Sequence, residues 1–268
     1  RRVLFRSQAA AEICQRVPTV WFHHDAWALA NGFVVCLEGL LPREEAVRHQ
    51  SRVYQLLNYS PYHESFRSRS IKRLLDKHAP QPAVHIVGSQ SMADLLKHSG
   101  RFDASRCRLL PLAVRSFANE LSDQSREQAR VALGLKPDLR TVLIAASRAT
   151  DFNKGVEKAA QAVVANAGIA PIQAIVMARQ AQAAAQWLGN VPTAFVTADS
   201  PEKLARAYRA ADVTIVPSLM ESFGYMAAES LLCHTPVVAF AVGGLIDVVG
   251  GIRHDPLVPP YDKWRWPG

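Results

Sequence analysis

No apolar run in the 268-residue chain approaches the roughly 20 residues that a membrane-spanning helix requires, which excludes a transmembrane helix for this stretch of sequence. Cysteine is scarce: Cys14, Cys36, Cys107 and Cys233 show no C-x-x-C spacing, so neither a disulfide framework nor a zinc site is suggested. A reducing, cytoplasmic setting follows as the expectation. The chain also lacks G-x-G-x-x-G and G-x-x-x-x-G-K-[ST], which argues against a dinucleotide-binding Rossmann domain and against a P-loop nucleotidase. Nor does any D-x-D occur. No helix-turn-helix, zinc-finger or RNP-like pattern is present, and no aromatics are interleaved at regular spacing with the cations. Nucleic acid is therefore not expected as a partner.

What remains is the composition of a globular α/β protein: 49% hydrophobic and 20% charged, with a mean hydropathy of −0.01. The length allows about two domains, each with its own core. The first seven residues, RRVLFRS, read as translated sequencing-adapter sequence and are set aside. Without Arg1, Arg2 and Arg6 the formal net charge falls from +8 to +5, and the chain reads as an internal fragment from near Gln8. The closing DKWRWPG is also abrupt. The densest basic cluster, Arg67, Arg69, Lys72 and Arg73, is read mainly as a solvated helix face, with a peripheral membrane contact left open.

Short β-branched runs alternate with helical patterns along the chain. TVWFHH, AVHIVG, TVLIAAS, IQAIVMA, TAFVTA, VTIVPS and PVVAFA read as strands, several of them apolar at consecutive positions as in parallel sheets buried on both faces. In DSPEKLARAYRAAD, Asp199 or Ser200 supplies an N-cap and Pro201 a first helical turn; SREQARVALG stops at Gly134. From Thr141 onward the cadence is βαβ. The first half has strands at Thr19–His23, Ala83–Val87 and Arg108–Leu112, a helix in SQSMADLLKHS and a long, partly helical stretch from Glu44 to His78. AVRSFANELSDQS reads as a connector, which places residues 8–115 in one domain and 116–268 in another.

In open parallel sheets, ligands bind beyond the carboxyl ends of the strands, where helix N-termini present amide groups. RATDFNKG follows the first strand of the second half and contains Arg148 and Lys154; LMESFG contains a small-residue helix start at Ser222–Gly224; VGGLIDVV contains the pair Gly243-Gly244. Each suits a diphosphate. With no D-x-D, a nucleotide bound here would have its phosphates neutralised by side-chain cations and amides rather than by a carboxylate-held Mg²⁺.

These residues resemble a known family. VPSLMESFGYMAAESLLCHTPVVAFAVGGLIDVV is similar to the signature of the family-4 (GT4) retaining glycosyltransferases of the GT-B fold, whose motif is E-x7-E, here Glu221 and Glu229. The likeness extends from about Thr19 to Val249. RATDFNKG resembles the family's Arg…Lys-Gly loop, with Ser147 where Gly is more usual before the Arg. WFHHDAWALANG resembles a His-Asp-x-Trp segment of bacterial members acting in exopolysaccharide and colanic-acid-type synthesis.

The resemblance implies two Rossmann-like domains with parallel sheets facing an interdomain cleft, the first incomplete because the family's opening strand and glycine-rich loop are missing. It implies transfer, with retention, of a hexosyl or related group from a nucleotide-diphosphate-sugar to a glycan or lipid-linked acceptor, in the cytoplasm or at the inner face of the membrane, without a metal or other cofactor. Arg148 and Lys154 would contact the donor diphosphate, Glu229 the ribose, and Glu221 the donor sugar. Backbone amides of Ser222, Phe223 and Gly224 would hold phosphate, with Gly243-Gly244 close by. His24 would help position the sugar and Asp25 would face the acceptor. Taken alone, each residue has a plainer reading: helix-start or solvated acids, solvated loop cations, a packed strand histidine and a tight glycine turn. A nucleotide-sugar epimerase of the same fold and a non-catalytic nucleotide-sugar-binding module remain alternatives.

Overall fold

The computed structural model describes residues 12–23, 81–99, 102–121, 124–250 and 257–258. The adapter-like residues, the Glu44–His78 stretch with its basic cluster, and His24, Asp25 and Trp27 lie outside them. The chain divides into two compact units between Leu112 and Ala113, with Glu221–Phe223 counted with the first.

In the first unit, β1 (Val20–His23), β2 (Val84–Val87) and β3 (Cys107–Leu109) form a parallel sheet in that order, with Phe22 opposite Ile86 and Ile86 opposite Arg108. β3 is shorter than the expected Arg108–Leu112; Pro111 has no N–H with which to extend the ladder. Helix α1 (Gln90–Ser99) starts where the Ser89 hydroxyl accepts a hydrogen bond from the Met92 amide at 3.2 Å. Met92 and Leu96, one turn apart, pack with Val87 and Phe102. On the same strand face His23 and His85 are buried, their Nε2 and Nδ1 atoms 3.0 Å apart. Phe102 meets both rings edge-on and Trp21 stacks on His23. Burial, and secondarily the neighbouring His85, pushes the His23 pKa down to about 4; burial also lowers that of His85.

In the second unit, α2 (Ala118–Leu121) and α3 (Arg126–Ala132) precede β4 (Arg140–Arg148), α4 (Val156–Ala167), β5 (Ile172–Arg179), α5 (Ala185–Leu188), β6 (Thr193–Val196), α6 (Pro201–Ala210), β7 (Val213–Val216), α7 (Tyr225–Leu232), β8 (Val237–Phe240), α8 (Gly244–Val249) and β9 (Leu257–Val258). Among the described residues the sheet is parallel throughout, in the order β6-β5-β4-β7-β8-β9. The order reverses between β4 and β7, the topological switch point of a doubly wound sheet. β5 is buried from Gln173 to Ala178 because helices cover both faces. One face packs Leu143, Ala145, Ile175 and Met177 against α3 and α6, and the other packs Ile144, Ala174 and Val176 against α4.

Local signals set the helix ends. Ser125 and Gln128 form a reciprocal capping box on α3, and Gly134 follows its end at φ 71. Ser200 caps α6 with Pro201 in its first turn. Two polar groups tie the amino-terminal ends of the strands together. Arg130 Nη2 donates to Asp212 Oδ2 at 2.7 Å, its Nε and Nη1 donate to the carbonyls of Ala210 and Pro137, and the Thr141 amide donates to the same Asp212 oxygen. Buried Gln173 donates to the Lys136 carbonyl at 2.7 Å and accepts from the Lys136 amide, fixing the approach to β4.

Two further features depart from the sequence reading. The supposed connector contains α2, because Phe117, 1% exposed, docks 6.2 Å from Tyr208 and fixes the backbone beside it. A lone aromatic in a polar run gives no periodic signal. Likewise β9 adds an outer strand to β8, through pairs too few to show a pattern.

Candidate functional site

The loops after β4, β7 and β8 converge at the carboxyl edge of the sheet. After β4, Asp151 accepts the Asn153 amide at 3.0 Å and starts a 3₁₀ turn over Phe152–Lys154, which ends at Gly155 with φ 61 and ψ 18. Positive φ suits glycine, but crowding is the stronger constraint: a Cβ on Gly155 would overlap the carbonyl oxygen of Pro217. The Leu219 amide donates to the Asn153 carbonyl at 2.8 Å, so the β4 loop is stapled to the β7 loop on both sides of the switch point. Asn153 was not singled out in the sequence, and Gly155 entered only as the glycine of the Arg…Lys-Gly loop. The adjacency of Lys154 and Gly155 was the only available signal, and the partner strand lies some sixty residues away.

Arg148, at the end of β4, is exposed, and Lys154 is half-buried in the 3₁₀ turn. Both stand on the loop at the switch point. Ser218 is buried; Glu221 and Ser222 are half-buried, and Phe223 is 8% exposed. Gly224 caps α7 at φ 100, and a Cβ there would lie 2.8 Å from Leu245 Cδ2, bringing the start of α7 against α8. Gly243, with φ 50 and ψ −137, precedes α8, and Gly244 is buried at its first position. The glycines thus bring the backbones of neighbouring loops close together.

Glu229 lies in the second turn of α7, half-buried. Its Oε2 accepts a 2.8 Å hydrogen bond from the hydroxyl of Tyr208, whose ring is fully buried. Burial pushes the Glu229 carboxyl pKa up, while the Tyr208 bond pulls it partly back; burial and then Glu229 raise the Tyr208 pKa far above the phenol range. Glu229 Oε1 has no hydrogen-bond partner among the described residues. A carboxylate with one oxygen anchored and one free can accept from a ligand hydroxyl. Tyr208 was not read as a site residue, since its 21-residue separation from Glu229 carries no sequence signal. Cys233 is buried, its thiol pKa pushed up to about 12 by burial and by Glu229, which makes it a poor nucleophile. Among the described residues no three His, Cys, Asp or Glu side chains gather as a metal site. No described helix is long and apolar enough to cross a membrane.

The family described as Glycosyl transferases group 1 matches residues 140–266. D-inositol 3-phosphate glycosyltransferase of Mycolicibacterium smegmatis is 31% identical over 212 residues, which are 70% of this chain and 48% of that protein. The chain thus spans about half the length of this curated relative. Sucrose-phosphate synthase from Thermosynechococcus elongatus superimposes with a TM-score of 0.65 at 24% identity, over 97% of this chain and 59% of that one. Anabaena Alr3699/HepE in complex with UDP and glucose gives 0.57 at 20% identity, over 92% and 58%. Over residues 140–266 the chain is therefore similar in sequence to the group 1 glycosyl transferases, and it has the α/β fold of the GT-B glycosyltransferases.

Proposed function

We propose that the protein is a retaining glycosyltransferase that moves a hexosyl or related group from a nucleotide-diphosphate-sugar to a glycan or lipid-linked glycan acceptor in polysaccharide synthesis, without a metal. The observation that carries this reading is the stapling of the Arg148–Gly155 loop to the Pro217–Leu219 segment across the switch point. That junction is where doubly wound sheets take their nucleotides. The UDP complex of the HepE neighbour supports a nucleotide ligand, and the group 1 match supports sugar transfer.

In this reading the diphosphate sits beside Arg148 and Lys154, whose charges stabilise the leaving group as the anomeric C–O bond breaks. Amides of Ser222–Gly224 at the start of α7 add hydrogen bonds to phosphate, and Gly243-Gly244 admits the ligand close to the backbone. Glu229 accepts the ribose hydroxyls through Oε1, and Glu221 faces the donor sugar. The leaving phosphate takes the acceptor's proton, and no protein nucleophile is assigned. His24 and Asp25 act on the sugar and acceptor side, and catalysis takes place in the cytoplasm or at the inner face of the membrane.

The test is a titration of UDP-, GDP- and ADP-sugars with the 268-residue chain, with and without EDTA, followed by product analysis. Binding with release of nucleoside diphosphate, insensitive to EDTA, supports the transferase. Isomerisation of the donor without acceptor would identify an epimerase instead, and binding without turnover a binding module.

A further inference from the structure

β4 and β5 lie side by side, and their register sets Arg148 level with Arg179 at the carboxyl ends of both strands. Like charges placed abreast on neighbouring strands repel each other. Among the described residues neither has a carboxylate partner within ion-pair distance. The turn carrying Arg179 is nevertheless well tied. Its Nε donates to the Ser147 carbonyl at 3.3 Å, and its own carbonyl accepts the Ala149 amide at 2.9 Å. The next residue, Gln180, takes the left-handed conformation at φ 58 and ψ 35, uncommon for a residue with a side chain, and accepts the Thr150 hydroxyl at 2.8 Å. Strain of this kind persists where the surroundings hold it, and such positions concentrate at ligand sites. With Nε occupied by Ser147, the two Nη groups of the fork remain for an anion.

The chemistry of the proposed reaction supplies an anion whose charge grows. An intact nucleotide-diphosphate-sugar carries two negative charges on its diphosphate, matched by Arg148 and Lys154. When the anomeric C–O bond breaks, its electron pair stays on the phosphate oxygen and a third charge develops. The acceptor oxygen bonds to the anomeric carbon, and the acceptor's proton passes to the phosphate. We propose that Arg179 is the third cation of the donor site, one that binds the departing diphosphate more strongly than the intact donor. This rests on the transferase reading above. A group that favours the charge-separated state accelerates the reaction, whereas one that binds both states equally does not.

The experiment is calorimetric titration of the 268-residue chain and of R179A and R140A with UDP, UDP-glucose, GDP and GDP-mannose. Arg140 is a control, an exposed cation at the opposite end of the same strand. For whichever nucleotide the unmodified chain binds, R179A weakens the diphosphate about tenfold and the matching diphosphate-sugar no more than about threefold, while R140A alters neither. An equal loss for both ligands, or no loss for either, overturns the role of Arg179. Failure of the unmodified chain to bind any of the four overturns the donor-site reading itself.

Discussion

The carbonyl oxygen of Pro217 occupies the space that any side chain on residue 155 would need. Gly155 also stands at φ 61, so substitution there is opposed by both backbone conformation and packing. Gly155→Ala is expected to lose at least about 2 kcal/mol of stability and most of the nucleotide affinity, because the two loops at the switch point can no longer meet. Urea unfolding and UDP or GDP titration measure both. A variant with wild-type midpoint and affinity would show that the loop junction is not needed.

The Arg130–Asp212 pair is a second place where one side chain holds distant segments, with Arg130 6% and Asp212 20% exposed. Removing Asp212 strands the Arg130 guanidinium in a poorly solvated position, whereas removing Arg130 leaves Asp212 with Arg126 Nη1 at 3.5 Å and the Thr141 amide. Arg130→Ala also frees the carbonyls of Ala210 and Pro137. Each single variant is expected to cost about 3–5 kcal/mol in urea unfolding. The double variant should fall well short of the summed losses, and strict additivity would show that the pair is not coupled.

The His23–His85 pair gives the first unit an acid sensitivity whose direction is fixed by burial. His23 in the folded chain stays neutral down to about pH 4, whereas the unfolded chain takes up a proton near 6.5. Stability from this group is therefore complete above pH 6.5 and is lost as pH falls towards 4. The loss from His23 reaches about 3 kcal/mol, and His85, shifted in the same direction, adds to it. Denaturation midpoints at pH 7, 5.5 and 4.5 should fall steeply in the unmodified chain and less so in His23→Gln. Parallel curves for the two would exclude His23 as the source.

Glu229 and Tyr208 separate ligand binding from folding. Tyr208→Phe keeps the buried ring and removes only the hydroxyl, with an expected cost near 1 kcal/mol in stability and a modest loss of nucleotide affinity. Glu229→Gln keeps the side chain's shape and should weaken nucleotide binding about tenfold with a smaller change in melting temperature. If donor affinity in Glu229→Gln equals that of the unmodified chain, the ribose assignment fails.

Much of the second unit was legible in its residues because each signal is local. Consecutive apolar positions in IQAIVMA follow from burial on both faces, and Ser200-Pro201 and Gly134 mark helix ends through their own dihedral preferences and hydrogen bonds. Phe117 and the Ala118–Leu121 turn were missed because a single buried aromatic has no period. The Tyr208–Glu229 bond, the Leu219–Asn153 staple and the Arg148–Arg179 pairing were missed because each joins residues on different elements.

The sequence by itself determined an α/β chain with parallel strands and three cation- or glycine-bearing loops after β4, β7 and β8, since strand burial, capping and glycine conformation are read within a few residues. Only the tertiary structure decided which loops meet. The sheet order β6-β5-β4-β7-β8-β9 seats β7 beside β4 rather than beside β6, and this non-sequential pairing sets Pro217 against Gly155. The level placement of Arg148 and Arg179 has the same origin, in a hydrogen-bonded register between strands. Such contacts arise from long-range pairing and packing, for which no local pattern of residues is required.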